Sequence, residues 1–290
     1  MKTYFITSDT HSFFDELQSA LNKAGFDINN SDHIFVLCGD LFDRGYQSSQ
    51  LYDFILSIPK ERRILIRGNH EYLFKEALCK YYPDYYDFSN GTVRSITALS
   101  GLHDDQDWLD DQILPSHYMT DFDYEEFQLH KCEQWKSIIE SARVQEVAKW
   151  FFSEDWGNYW ETEHYIFVHS FIPLRYKNRE MYDYEYDDSE LEREYREDWR
   201  NATRREWENA SWGCPWSMAG AGFNKTGKMI VCGHWHTADF FNHLKKLNKF
   251  YDYRKENPIF ESKKYRIIGL DACTAATHKF NVLVLKENEL

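Results

Sequence analysis

The chain has 290 residues and carries 34 Lys and Arg against 48 Asp and Glu, a net charge of −14. That length accommodates one large core, or a core with insertions, and the acidic balance argues against a protein that coats nucleic acid, which needs a basic stripe. No stretch approaches the ~20 apolar residues of a membrane span, and Met1 to Ser8 lacks the apolar segment of a secretion signal, so the cytoplasm is the default expectation.

The first apolar run, Tyr4-Phe5-Ile6, reads as a strand and ends just before Asp9-Thr10-His11. Phe13, Phe14, Leu17, Ala20, Leu21 and Ala24 recur at helical spacing and stop at Gly25, a helix with a glycine stop. A second strand, Ile34 to Cys38, precedes Gly39-Asp40-Leu41-Phe42-Asp43-Arg44-Gly45, and Leu51, Phe54 and Ile55 mark a second helix. A third strand, Ile64-Leu65-Ile66, precedes Gly68-Asn69-His70-Glu71. The opening therefore reads βαβαβ with a polar motif at the carboxyl end of each strand, the edge at which open α/β sheets bind ligands. Residues about 80–160 and 176–215 break this pattern and are expected to be insertions or cap segments. The first is aromatic and acidic, with helical periodicity at Trp135, Ile138 and Ile139 and at Val144, Val147, Ala148 and Phe151. The second is highly charged, as in the run from Glu190 to Glu197. Strands resume at Tyr165 to Val168, before His169, and at Met229 to Cys232, before Gly233-His234-Trp235-His236. Tyr265 to Leu270 and Phe280 to Leu285 are expected to close the chain as a hairpin. Residues 1–290 thus read as a single α/β (α+β) domain, with all the motifs on one edge of one sheet.

The residue types in these motifs carry chemistry. Asp, His and Asn together are the ligand set of two hard-to-borderline divalent cations that share a carboxylate, and such pairs cut phosphate esters. Asp40 is the candidate bridge. Asp9 and His11, two residues apart, can aim at one metal. Asn69 offers a neutral carbonyl oxygen, and His169, His234 and His236 add imidazole nitrogens. Manganese heads the fitting metals, with Fe, Zn, Co and Ni as alternatives. Arg44 presents a planar fork to phosphate and, with Asn69, is the candidate substrate contact. His70, next to Asn69, is placed to protonate a leaving oxygen. The other histidines (His33, His103, His117, His130, His164, His243, His278) read as surface or packing residues. The six cysteines form no CxxC pair, and Cys38 and Cys232 read as small buried residues in a reducing compartment.

In this order Asp9-x-His11, Gly39-Asp40-x-x-Asp43-Arg44-Gly45, Gly68-Asn69-His70-Glu71, His169 and Gly233-His234-x-His236 resemble the calcineurin-like metallophosphoesterase superfamily. The Asp-Arg-Gly and Gly-Asn-His-Glu forms are similar to its phosphoprotein phosphatase branch, which includes serine/threonine phosphatases and symmetrical diadenosine tetraphosphatases. The resemblance spans residues 9 to 236. It implies a two-sheet β-sandwich flanked by helices, with a dinuclear site at the strand ends. One metal would be held by Asp9, His11, Asp40 and His236, the other by Asp40, Asn69, His169 and His234. Arg44 would bind phosphate, and His70 would be the catalytic acid, supported by Asp43. The implied reaction is in-line attack of a metal-bridging hydroxide, foremost on a phosphomonoester as in serine/threonine phosphatases. The alternatives are a dinucleoside polyphosphate or a phosphodiester, and least of all a non-catalytic binding module. The expected partner is a phosphorylated substrate (phosphoprotein, nucleotide or small ester), with no membrane and no duplex nucleic acid.

Three departures stand out. Asp9 is flanked by Ser8 and, past His11, by Ser12 where that branch has glycines. His169 is followed by Ser170-Phe171 instead of small residues. Ala219 falls where protein phosphatases carry a second phosphate-binding arginine, leaving Arg175, Arg204, Arg205 or Lys225 as substitutes.

Overall fold

The computed structural model describes residues 1–102, 121–176, 193–245 and 249–290, and for 121–128 the backbone alone. His103, His117 and Glu190 to Glu192 lie outside the described residues. Two five-stranded sheets carry the fold. In the first, β1 (Thr3–Thr7), β2 (His33–Cys38), β3 (Arg63–Ile66) and β4 (Trp156–Gly157) run parallel, and β12 (Leu283–Lys286) pairs antiparallel along β1. The second has the order β10 (Phe260–Ser262), β11 (Ile267–Gly269), β9 (Met229–Cys232), β6 (Tyr165–Phe167) and β5 (Trp160–Glu161), with β11, β9 and β6 parallel. A short pair, β7 (Arg175–Tyr176) with β8 (Arg193–Glu194), stands apart.

The strands are near-continuous apolar runs because both of their faces are buried. Alternation along each strand then sorts the side chains into three cores. Tyr4, Ile6, Ile34, Val36, Cys38 and Ile66 meet Phe167, Val231, Ile268 and Leu270 between the sheets. Phe5, Phe35, Leu37 and Leu65 face outward onto helices, as do Ile166, Ile230, Cys232 and Ile267 on the other side. The result is the two-sheet sandwich flanked by helices that the motifs implied. In the first half the helices are α1 (Phe14–Ala24), α2 (Ser48–Ser57), α3 (Asn69–Ala77), α4 (Tyr85–Asn90) and α5 (Thr92–Ser100).

Two expectations are corrected. The last two strands form no hairpin: β11 pairs with β9 in the second sheet, while β12 pairs with β1 in the first. The reason is that Leu270 and Leu285 both belong to the core between the sheets, and the segment joining them crosses from one sheet to the other. The motifs also do not line one sheet. β1, β2 and β3 deliver the first three from one sheet, and β6 and β9 deliver His169 and His234 from the other. Short parallel runs look alike in sequence whichever sheet they join.

The described parts of the stretch 80–160 are packed into the fold. Val93, Ile96, Leu99, Trp135, Ile138, Val144, Val147 and Phe151 belong to the first outer core. In the second charged stretch, Trp199 and Trp207 are buried in the other outer core. No helix among the described residues is long and apolar enough to cross a membrane.

Candidate metal centre

The strand ends turn sharply into left-handed backbone. Of the ten non-glycine residues at positive φ among those described, seven belong to or adjoin the motifs: Asp9, His11, Ser12, Asp40, Asp43, Arg44 and His234. Such residues cost about 1–3 kcal/mol each and persist only where the surroundings over-determine them. Here the loops are stitched together. Asp9, His11 and Ser12 donate their N–H groups to the carbonyls of Gly39, Asp40 and Leu41 at 3.0–3.1 Å. The buried Glu71 carboxylate accepts from the N–H groups of Gly68 (2.6 Å), Leu41 (2.8 Å) and Asp40 (3.2 Å), tying the second loop to the start of α3. Glycines allow the close approach: a Cβ on Gly68 would overlap the Asp40 carboxylate, and one on Gly233 the Asp9 carboxylate.

Asp40 sits at the centre with its two oxygens facing different ways. Oδ2 lies 3.8 Å from His11 Nε2 and 3.8 Å from His70 Nε2. Oδ1 lies 3.4 Å from His169 Nε2, which is itself 2.9 Å from Asn69 Oδ1 and 3.1 Å from His234 Nδ1. Atoms bound at about 2.1 Å to one ion sit roughly 3.0–3.4 Å apart in octahedral or tetrahedral geometry, so the second group has the spacing of a coordination shell. Tautomers follow from the outer contacts. His11 Nδ1 donates to the Phe42 carbonyl (2.9 Å) and His169 Nδ1 to the Cys38 carbonyl (2.9 Å), leaving each Nε2 as a lone pair. The Trp212 carbonyl hydrogen-bonds the ring of His234. The Nε2 lone pair of His169 faces Asn69 Oδ1, Asp40 Oδ1 and the His234 ring, a donor set that fits a cation.

Electrostatics divides the histidines. Burial, then Arg44 and His70, push His11 well down, and burial, then His169, push His234 down to about 3. Both are neutral near pH 7, as ligands must be. His70 goes the other way: burial opposes its charge, but Asp40 and Asp43 outweigh it and raise it. Its Nδ1 donates to Asp43 Oδ2 at 2.6 Å, with both residues buried. Burial would raise Asp40, but His169, His70, His11 and His234 hold it well below the usual carboxylate range. Arg44 is exposed at the edge of the site, close enough to act on both His11 and His70.

Two expected ligands stand outside these groups. The Asp9 carboxylate is buried beside Asp40 but accepts the His234 N–H at 3.0 and 3.1 Å, and burial, then Asp271 and Asp40, push it up. His236 is not brought to either group. Its Nε2 lies 3.9 Å from Asp271 and its ring stacks on Tyr253 with centroids 5.1 Å apart. Two residues apart would mean one face in an extended strand, but His234 at φ 65° breaks that alternation. Phe171 points into the outer core, away from the site. Ala219 is buried, Arg175 faces Glu194 at 3.9 Å, and Arg204 lies over Phe152 at 4.4 Å. Sequence reasoning missed Thr92, whose Oγ1 donates to Asp43 Oδ2 at 2.7 Å, and Ser95, whose Oγ accepts the Asp43 N–H at 2.9 Å. It also missed the carbonyls of Cys38, Phe42 and Trp212, which leave no mark in a residue pattern.

The chain is similar in part to known proteins. Over 71 residues the chain is 38% identical to a symmetrical bis(5'-nucleosyl)-tetraphosphatase of Buchnera aphidicola subsp. Baizongia pistaciae, a match covering 24% of each chain. Among solved structures, a cold-active protein-tyrosine phosphatase of a psychrophilic Shewanella aligns at 13% identity and a TM-score of 0.44, covering 99% of this chain and 76% of that one. A protein serine/threonine phosphatase from Saccharomyces cerevisiae aligns at 12% identity and a TM-score of 0.42, covering 93% and 67%. The family profile described as calcineurin-like phosphoesterase matches residues 2–238, and this chain belongs to that family.

Proposed function

We propose that the protein hydrolyses phosphate monoesters with two divalent ions, manganese foremost, and that Asp40 bridges them. The observation that carries this reading is the Asp40 carboxylate, each oxygen of which faces its own set of donors. His11 and Asp40 would hold one ion, with Asp9 adjacent, and Asp40, Asn69, His169 and His234 the other. Bound there, the ions would supply Lewis acidity and activate water as the nucleophile. The chain's own groups do the rest. Arg44, at the mouth, takes two phosphoryl oxygens in its fork, and Asn69 borders the same space. Asp43 accepts the Nδ1–H of His70 and favours its imidazolium form, whose Nε2–H hands a proton to the leaving oxygen. Six unpaired cysteines fit a reducing compartment, the cytoplasm.

A second reading, cleavage of a dinucleoside polyphosphate, is favoured by the rim. Trp212 and Trp235 are 51% and 37% exposed; the Trp212 ring lies 6.2 Å from the His234 ring, and Trp235 is the next residue in the chain. Exposed indoles beside a phosphate site suit a stacked base, and the curated relative that matches 71 residues acts, by its name, on such a substrate. The deciding assay offers an aryl monoester, an alkyl monoester, a diester and diadenosine tetraphosphate side by side with Mn²⁺. A dominant rate on a monoester supports the first reading. A dominant rate on the tetraphosphate, lost in Trp212→Ala, transfers the assignment to the second. Bound metal with no turnover on any ester would make the protein a binding module.

A further inference from the structure

We infer that the segment Gly91-Thr92-Val93-Arg94-Ser95, outside every recognised motif, positions both the proton donor and the phosphate-binding arginine. The inference rests on the roles proposed above for His70 and Arg44.

Four residues of this segment meet the Asp43-Arg44 turn. Thr92 Oγ1 donates to Asp43 Oδ2 at 2.7 Å, the same oxygen that receives His70 Nδ1–H. Ser95 Oγ accepts the Asp43 N–H at 2.9 Å. Arg94 donates to the Arg44 carbonyl at 3.0 Å, and the Arg44 N–H donates to the carbonyl of Asn90, just before the segment, at 3.0 Å. Gly91, at φ +84°, packs so closely that a Cβ there would stand 2.5 Å from the Arg44 nitrogen.

The turn needs such a clamp, because Asp43 and Arg44 both sit at positive φ, 78° and 60°. Asp43 is fully buried and its Oδ1 has no hydrogen-bond partner, so the carboxylate is located by Oδ2 alone. Without Thr92, one donor, the imidazole it is meant to orient, would have to hold it. α5 can act as a strut because Val93, Ile96 and Leu99 anchor it in the first outer core. Thr92 and Ser95 are thus positioning residues for His70, and Arg94 and Gly91 for Arg44. His70 transfers the proton from Nε2 to the departing oxygen as the P–O bond breaks. A displaced imidazole therefore penalises esters whose leaving group is a poor anion.

The test compares an alkyl monoester with p-nitrophenyl phosphate on the metal-loaded full chain. Thr92→Val should keep metal content and KM and lose about 10-fold in kcat on the alkyl ester, the scale of an outer-shell partner, with a smaller loss on the aryl ester. Thr92→Ser, which retains the hydroxyl, should restore it. Ser95→Ala should repeat the leaving-group signature even if Thr92→Val folds poorly. Arg94→Leu should instead raise KM more than it lowers kcat. Equal losses on the two esters, or wild-type kcat in Thr92→Val and Ser95→Ala, would overturn the inference. His70→Asn is the reference: if its own loss is the same on both esters, the acid role of His70 falls instead.

Discussion

The two groups of donors around Asp40 are built differently. His11, Asp40 and His70 all come from the first sheet, on loops joined by backbone hydrogen bonds and by Glu71. Asp40, His169 and His234 span both sheets, because β6 and β9 belong to the second. The first group is therefore as rigid as one network of loops. The second depends on how the sheets meet, and so on the core of Ile6, Val36, Ile66, Phe167, Val231 and Ile268 between them. A site of two equivalent-looking halves has one half held locally and the other held by the fold.

The sharpest way to break this comparison is Asp40→Asn, which strikes both halves. It should abolish metal binding and lower kcat/KM by more than the ~10²-fold that marks loss of an outer-shell partner; metal per chain by elemental analysis and turnover decide it. Retention of either ion would mean that Asp40 is no bridge. His70→Asn should cut kcat about 10²-fold or more, as lost general acid catalysis does, while the metal content holds. Metal loss there would move His70 from acid to ligand.

Val231→Ala tests the seam. Val231 is fully buried between the sheets, and its truncation should cost about 2 kcal/mol of stability. It should also weaken the ion held by His169 and His234 before the other, read as the loss of one of two calorimetric binding steps. Equal weakening of both steps would dissolve the distinction between the halves.

The smallest effect concerns the outer edge of the second sheet. Arg200 first, then Lys228, hold Glu161 at about 2, against its burial, from an ordinary 4.5. A folded-state pKa below the unfolded one means that the unfolded chain binds the proton more tightly. The stabilisation is therefore present above pH 4.5 and drains away as pH falls toward 2. Melting curves of the wild type and Glu161→Gln should converge through that window, and a gap that stays constant would remove the ion pair from the account.

Much of this was legible beforehand, for physical reasons. A strand buried on both faces is a short apolar run, and a polar turn with Gly, Asp, Asn or His follows it, so the order of strands could be read directly, and with it that His11, Asp40, Asn69, His70, His169 and His234 follow strand ends. The partition between sheets could not, because register is a long-range property: Ile166 lies beside Ile230, and Ile230 beside Ile267, with nothing local to announce it. The place of His236 also escaped, since it hinges on the left-handed turn at His234. Thr92 was hidden for another reason. Its hydroxyl gains meaning only from Asp43, 49 positions away.

If Asp40 serves two ions as proposed, its two-faced carboxylate has a consequence for how they would be acquired. An ion engaging Oδ2 would fix the rotamer of the whole group and so order Oδ1, and the reverse would hold equally. Loading is then a linked equilibrium in which each event alters the affinity of the other by the same factor. At limiting metal the population should divide between empty and doubly filled chains, with few singly filled ones, and activity should rise with metal concentration more steeply than simple saturation.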